Sequence, residues 1–113
     1  MRGYGAYHKV QNVAEPPRTI ERRLMGAVTA ALIEARENPA KLAAKFDAIL
    51  WNKRVWDTFV SEISDEANRL PNELKSAIVR LSAWVTYETQ AVMDGGSPDM
   101  LIEVNQQIIE GLA

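Results

Sequence analysis

The sequence predicts an all-α protein, a small helical bundle of four main helices with a short N-terminal helix lying across it. Three observations carry that expectation. Apolar residues recur at three- and four-residue spacing along most of the chain, and no window alternates strictly enough for a strand. Pro16-Pro17, Asn38-Pro39, Leu70-Pro71 and Ser97-Pro98 each precede a segment with that spacing, where a missing N–H leaves no intrahelical bond unmade. The 113 residues are 47% hydrophobic and 25% charged, the balance of one globular domain covering residues 1–113.

Taken in order, the spacing predicts helices near Tyr4–Val13, Pro17–Glu37, Pro39–Glu66, Pro71–Asp94 and Pro98–Leu112. Asn38 and Ser97 are expected N-caps, because their side-chain oxygens can accept from the first-turn amides. Gly95-Gly96 is the strongest breaker. In the second segment Ile20, Leu24, Ala27, Val28, Ala31 and Ala35 make one stripe, with Arg18, Arg22 and Arg36 largely opposite. The third carries two stripes. Leu42, Phe46, Ile49, Trp56, Phe59, Val60 and Ile63 form the broad one, which also contains Asn52. Ala44, Ala48, Trp51 and Val55 form a second, nearly opposite at 100° per residue. A helix apolar on two faces lies between other elements or meets a partner.

The fourth segment reads as nearly all buried, on a stripe of Leu74, Ile78, Leu81, Val85 and Val92 with Trp84 alongside. Glu88 falls in that stripe and requires a donor or an exposed edge. The last segment sets Leu101, Val104, Ile108 and Leu112 against Glu103, Gln106 and Glu110. Ile102 and Ile109 widen its apolar sector.

The inventory excludes more chemistry than it suggests. Without cysteine there is no disulfide, thiolate zinc site, iron–sulfur cluster or cysteine nucleophile. His8 is the single histidine, which leaves little for imidazole chemistry. Neither a phosphate-binding glycine loop nor a metalloprotease or hydrolase motif is present. The expectation is therefore a non-enzyme without cofactor or metal. Thirteen basic residues against fifteen acidic ones give a net charge of -2, which argues against binding nucleic acid or membrane through bulk charge. No span or leader is visible, so the expected compartment is cytoplasmic.

Arg18, Arg22 and Arg23 are the one concentrated basic feature and the candidate RNA contact. A solvated helix flank is the plainer reading, since no aromatic stacking platform accompanies them. Candidate partner-binding residues are Tyr4, Tyr7 and Val10 near the start, Trp51 and Val55 on the second stripe, and Ile102 and Ile109 on the last helix. Each also reads as packing within the bundle, and closure of a homodimer is a further use for such surplus.

Several segments together resemble the flagellar biosynthesis regulator FlaF family of alphaproteobacteria. They are Ala6-Tyr7, then Glu21-Arg22-Arg23-Leu24-Met25-Gly26, then Leu50-Trp51-Asn52-Lys53-Arg54-Val55-Trp56. Leu70-Pro71-Asn72-Glu73-Leu74, Leu81-Ser82-Ala83-Trp84-Val85, Leu101-Ile102-Glu103-Val104-Asn105 and Ile109-Glu110-Gly111-Leu112 follow in order. The resemblance implies a cytoplasmic protein acting on flagellin, as a chaperone for secretion or a regulator of its assembly. It also implies work alongside FlbT, a regulator of flagellin messenger RNA. An mRNA role, direct or through FlbT, is the alternative. The resemblance assigns no binding residues.

Overall fold

The computed structural model describes residues 17–112, with side chains from Glu21 onward. It contains α1 (Pro17–Glu37), α2 (Leu42–Ile63), α3 (Asn72–Met93) and α4 (Asp99–Gly111). No strand occurs among the described residues. The expected helix over Tyr4–Val13 lies outside them.

The helices alternate in direction around a square. Helix α1 packs on α2 and α4, and α3 packs on the same two. The pairs α1/α3 and α2/α4 are diagonals whose Cα atoms do not approach within 8 Å. Arg36, in the last turn of α1, donates to Asp99 Oδ1 in the first turn of α4 at 3.1 Å. At the other end Arg22 Nε donates to the Ile109 carbonyl at 3.3 Å. These contacts set α1 antiparallel to α4, and each cation stands at a helix C-terminus, where the dipole favours it. The hydrogen bond that Arg36 donates to Asp99, with the smaller contribution of Glu37, raises the pKa of its guanidinium above the ordinary range.

The turns explain where the helices stop. Gly95 has φ of 117°, a region open chiefly to glycine. Its N–H donates to Val92 O and that of Gly96 to Ala91 O, the two bonds of a Schellman ending. Ser97 Oγ accepts from the Asp99 N–H at 3.1 Å, so the expected cap operates one residue outside the N-cap position, which Pro98 occupies. Asn38 does not cap α2. Its amide donates to the Glu34 carbonyl and carboxylate, finishing α1, and α2 starts only after Lys41.

Leu32, Ile49, Ile78, Val85, Val92 and Leu101 are fully enclosed, with Met25, Trp56 and Phe59 among the large side chains beside them. Each such side chain contributes about 1.5–3 kcal/mol of burial. The buried threonines Thr29 and Thr89 return their hydroxyl protons to carbonyls four residues back.

Three expectations are corrected. The inner face of α1 is Met25, Val28, Thr29, Leu32 and Ala35, and Leu24 is left 42% exposed. Helix α3 is covered on one side only: Val79 and Ala83 face out, and Tyr87 is 78% exposed. Ile102 is only 4% exposed, because α4 is flanked by both α1 and α3 and needs a wide apolar sector inside the bundle. Glu88 takes the half-exposed edge of its helix.

One polar chain crosses the core on the α2/α4 diagonal. Trp56 Nε1–H donates to Asn105 Oδ1 at 2.9 Å, and Asn105 Nδ2 donates to Asn52 Oδ1 at 2.8 Å. Both asparagines are 0% exposed. An indole can only donate, so it dictates the orientation of the whole chain. Asn105 must turn its oxygen to Trp56 and its amide to Asn52. The Asn52 amide is then left over, and it is buried without a protein acceptor. The asparagine that local sequence places inward thus bonds 53 residues away rather than to its own helix.

Candidate functional site

Fixing Asn52 and Trp56 inward also decides where their predecessors point. Trp51 and Val55 precede them by one residue each, about 100° around α2. That rotation directs them to the outer seam between α1 and α2, where both are half-buried. Ala44, Ala48, Trp51 and Val55, the second apolar stripe of α2, all line this seam.

The seam is a groove because its walls are built from small residues. Ala31 and Ala35 of α1 face Ala44 and Ala48 of α2, so no long side chain fills the valley. That end encloses about 550 Å³ and carries Glu34, Asn38, Lys41 and Asp47 on its rim. A second depression of about 270 Å³ adjoins it, sharing Trp51 and Arg54. Leu24, Met25, Val55, Phe59, Thr58, Glu21 and Glu62 line that part. From Glu21 to Asn38 along α1 the groove runs about 25 Å at 1.5 Å per residue.

The groove combines apolar surface with a charged edge. Trp51 offers a flat apolar face, Leu24 and Val55 offer aliphatic contact, and the charged groups sit at the edges. Among the described residues, no group of three or more His, Cys, Asp or Glu is placed to hold a metal ion.

The structure brings together only part of what the sequence singles out. Trp51 and Val55 share the groove. Ile102 is inside the core and does not contribute to a surface, and Ile109 is half-buried against the same core. Tyr4, Tyr7 and Val10 lie outside the described residues. Arg18 stands in the first turn of α1 with its side chain undescribed, Arg22 is occupied at the end of α4, and Arg23 is exposed. Leu24, the facing alanines and the charged rim were not anticipated. The readable signal was Ala31/Ala35 and Ala44/Ala48, two pairs of small residues at four-residue spacing.

No described helix is long and apolar enough to cross a membrane. The family described as flagellar protein FlaF matches residues 4–112. No curated protein and no solved structure matches the chain.

Proposed function

The chain belongs to the FlaF family of flagellar proteins, and from that premise we propose that it binds flagellin before assembly. In this reading it is a chaperone-like factor for secretion that promotes flagellin synthesis and export from the cytoplasm. The single observation that supports it is the α1/α2 groove, with an aromatic and aliphatic floor and a polar rim. Amphipathic helical segments of a subunit that assembles through them need cover until export. A groove of this kind takes such a helix along its apolar face.

Calorimetric titration of the full chain with monomeric flagellin tests the reading. Binding is expected, and Trp51→Ala should weaken it by on the order of tenfold or more, as truncation of a central aromatic anchor does. Trp51 is half-buried, so circular dichroism should still report a folded helical protein. No heat of binding from the folded wild-type chain overturns the proposal.

An mRNA contact through Arg18, Arg22 and Arg23 has less support, because the Arg22 guanidinium is engaged at the C-terminal end of α4. Joint action with FlbT remains part of the proposal at the level of partnership, without an assigned face.

A further inference from the structure

The groove opens beside the point where the described chain begins. Residues 1–16 lead directly into Pro17, and the first side chains lining the seam, Glu21 and Leu24, stand one and two turns further along α1. Glu15 and Pro16 each precede a proline, a position that disfavours helical backbone. What enters α1 is therefore not an upstream extension of that helix. From Ala14 to Pro17 an extended chain reaches about 13 Å, more than the roughly 8–10 Å between packed helix axes. Residues 4–13 also carry a stripe. At about 100° per residue Ala6, Tyr7, Val10 and Val13 share one side, Tyr4 stands at its edge, and His8, Lys9 and Asn12 fall opposite. So short an amphipathic stretch is marginal alone and holds only through what its apolar side meets. The FlaF match starts at Tyr4 and takes in the whole stripe.

We infer that residues 4–13 fold back as a helix into the α1/α2 groove, antiparallel to α1, and that a partner reaches the groove by displacing them. This rests on the reading of the groove as a helix receptor and adds what occupies it beforehand. The register follows from the tether. With Val13 level with Glu21, a rise of about 1.5 Å per residue brings Val10 to Leu24 and Val55 and Tyr7 to Trp51. Tyr4 then reaches the valley between Ala31 and Ala48, where small walls leave about 550 Å³ for a large ring. The helix covers about 15 Å of the groove's length. Other apolar surface is less accessible to the segment. The opposite flank of α1 is closed by the Arg22 bond to the Ile109 carbonyl, and the exposed side of α3 lies across the bundle diagonal.

The chain has no cysteine, so a pair can be introduced without background. In the full chain, Val10→Cys/Val55→Cys should form an intrachain disulfide under diamide on the order of tenfold faster than Val10→Cys/Ala30→Cys. Docking raises the effective concentration beyond that of the tether alone. Ala30 is exposed on α1 and does not line the groove. Equal rates, or a disulfide formed only between chains, overturn the inference. In the unsubstituted chain, nuclear Overhauser contacts should join the Tyr7 ring to the Trp51 indole. Their absence overturns it too, however the variants fold.

Flagellin titration separates this inference from the functional reading. A segment docked about nine-tenths of the time weakens apparent affinity about tenfold, and Tyr7→Asp combined with Val10→Asp should recover that factor. Unchanged or weaker flagellin binding by that variant removes the displacement and leaves the functional reading standing. Fast trapping at Val55 without flagellin binding upholds the docked segment and removes the functional reading.

Discussion

Replacing Asn105 by leucine is the sharpest test of how the core is held. The two side chains have the same number of heavy atoms, so the change is mainly one of polarity. It strands two groups inside the bundle: the Trp56 indole N–H and the Asn52 carbonyl oxygen. An unmet buried polar group costs about 1–3 kcal/mol, and leucine recovers part of that through apolar burial. The expected net loss is about 3 kcal/mol, or about 12 °C in Tm for a chain of this size. Asn52→Leu should cost only about 1 kcal/mol, because it strands the Asn105 amide but removes an Asn52 amide that was already without an acceptor.

The double variant carries the decisive sign. With both asparagines gone, only the indole N–H is unmet, so Asn52→Leu/Asn105→Leu should be more stable than Asn105→Leu alone. Urea unfolding followed by circular dichroism gives the three free energies, and the mutant cycle gives the coupling. Equal losses for the two single variants, with the double equal to their sum, would refute a polarised chain dictated by Trp56.

Other outcomes follow from the same structure. Gly95→Ala should lose about 1–2 kcal/mol in thermal or urea unfolding, because an L side chain rarely tolerates φ of 117°. Tyr87→Ser should change stability by no more than about 0.5 kcal/mol despite the size of the side chain removed, since the ring is 78% exposed. Light scattering should report a monomer over a wide concentration range, because the groove faces do not complement one another; a dimer abolished by Trp51→Glu would contradict that.

The structure connects stability to the candidate site through the register of one helix. In Trp51-Asn52-Lys53-Arg54-Val55-Trp56, Asn52 and Trp56 are pinned to Asn105, while Trp51 and Val55 line the groove. A change that releases the polar chain therefore lets α2 rotate and misaims Trp51. Asn105→Leu should accordingly weaken partner binding, although Asn105 is fully enclosed and does not line the groove.

The helical periodicity was legible locally. It marked α1 over its full described extent, predicted the breaks before α3 and α4 to within a residue, and put Trp56 inside. It also exposed the double stripe of α2, which proved to be core on one side, except for Leu42 at 57% exposure in the first turn, and groove wall on the other. A period of 3.6 residues reports which side chains share a face, since that depends only on the chain's own winding. It cannot report which faces are covered, since that depends on neighbours far away in sequence. Ile102 and Leu24 show the difference: similar side chains on amphipathic helices, one enclosed between two neighbours and one left beside an alanine-walled valley. The Asn52–Asn105 bond was likewise settled only when α2 and α4 came together.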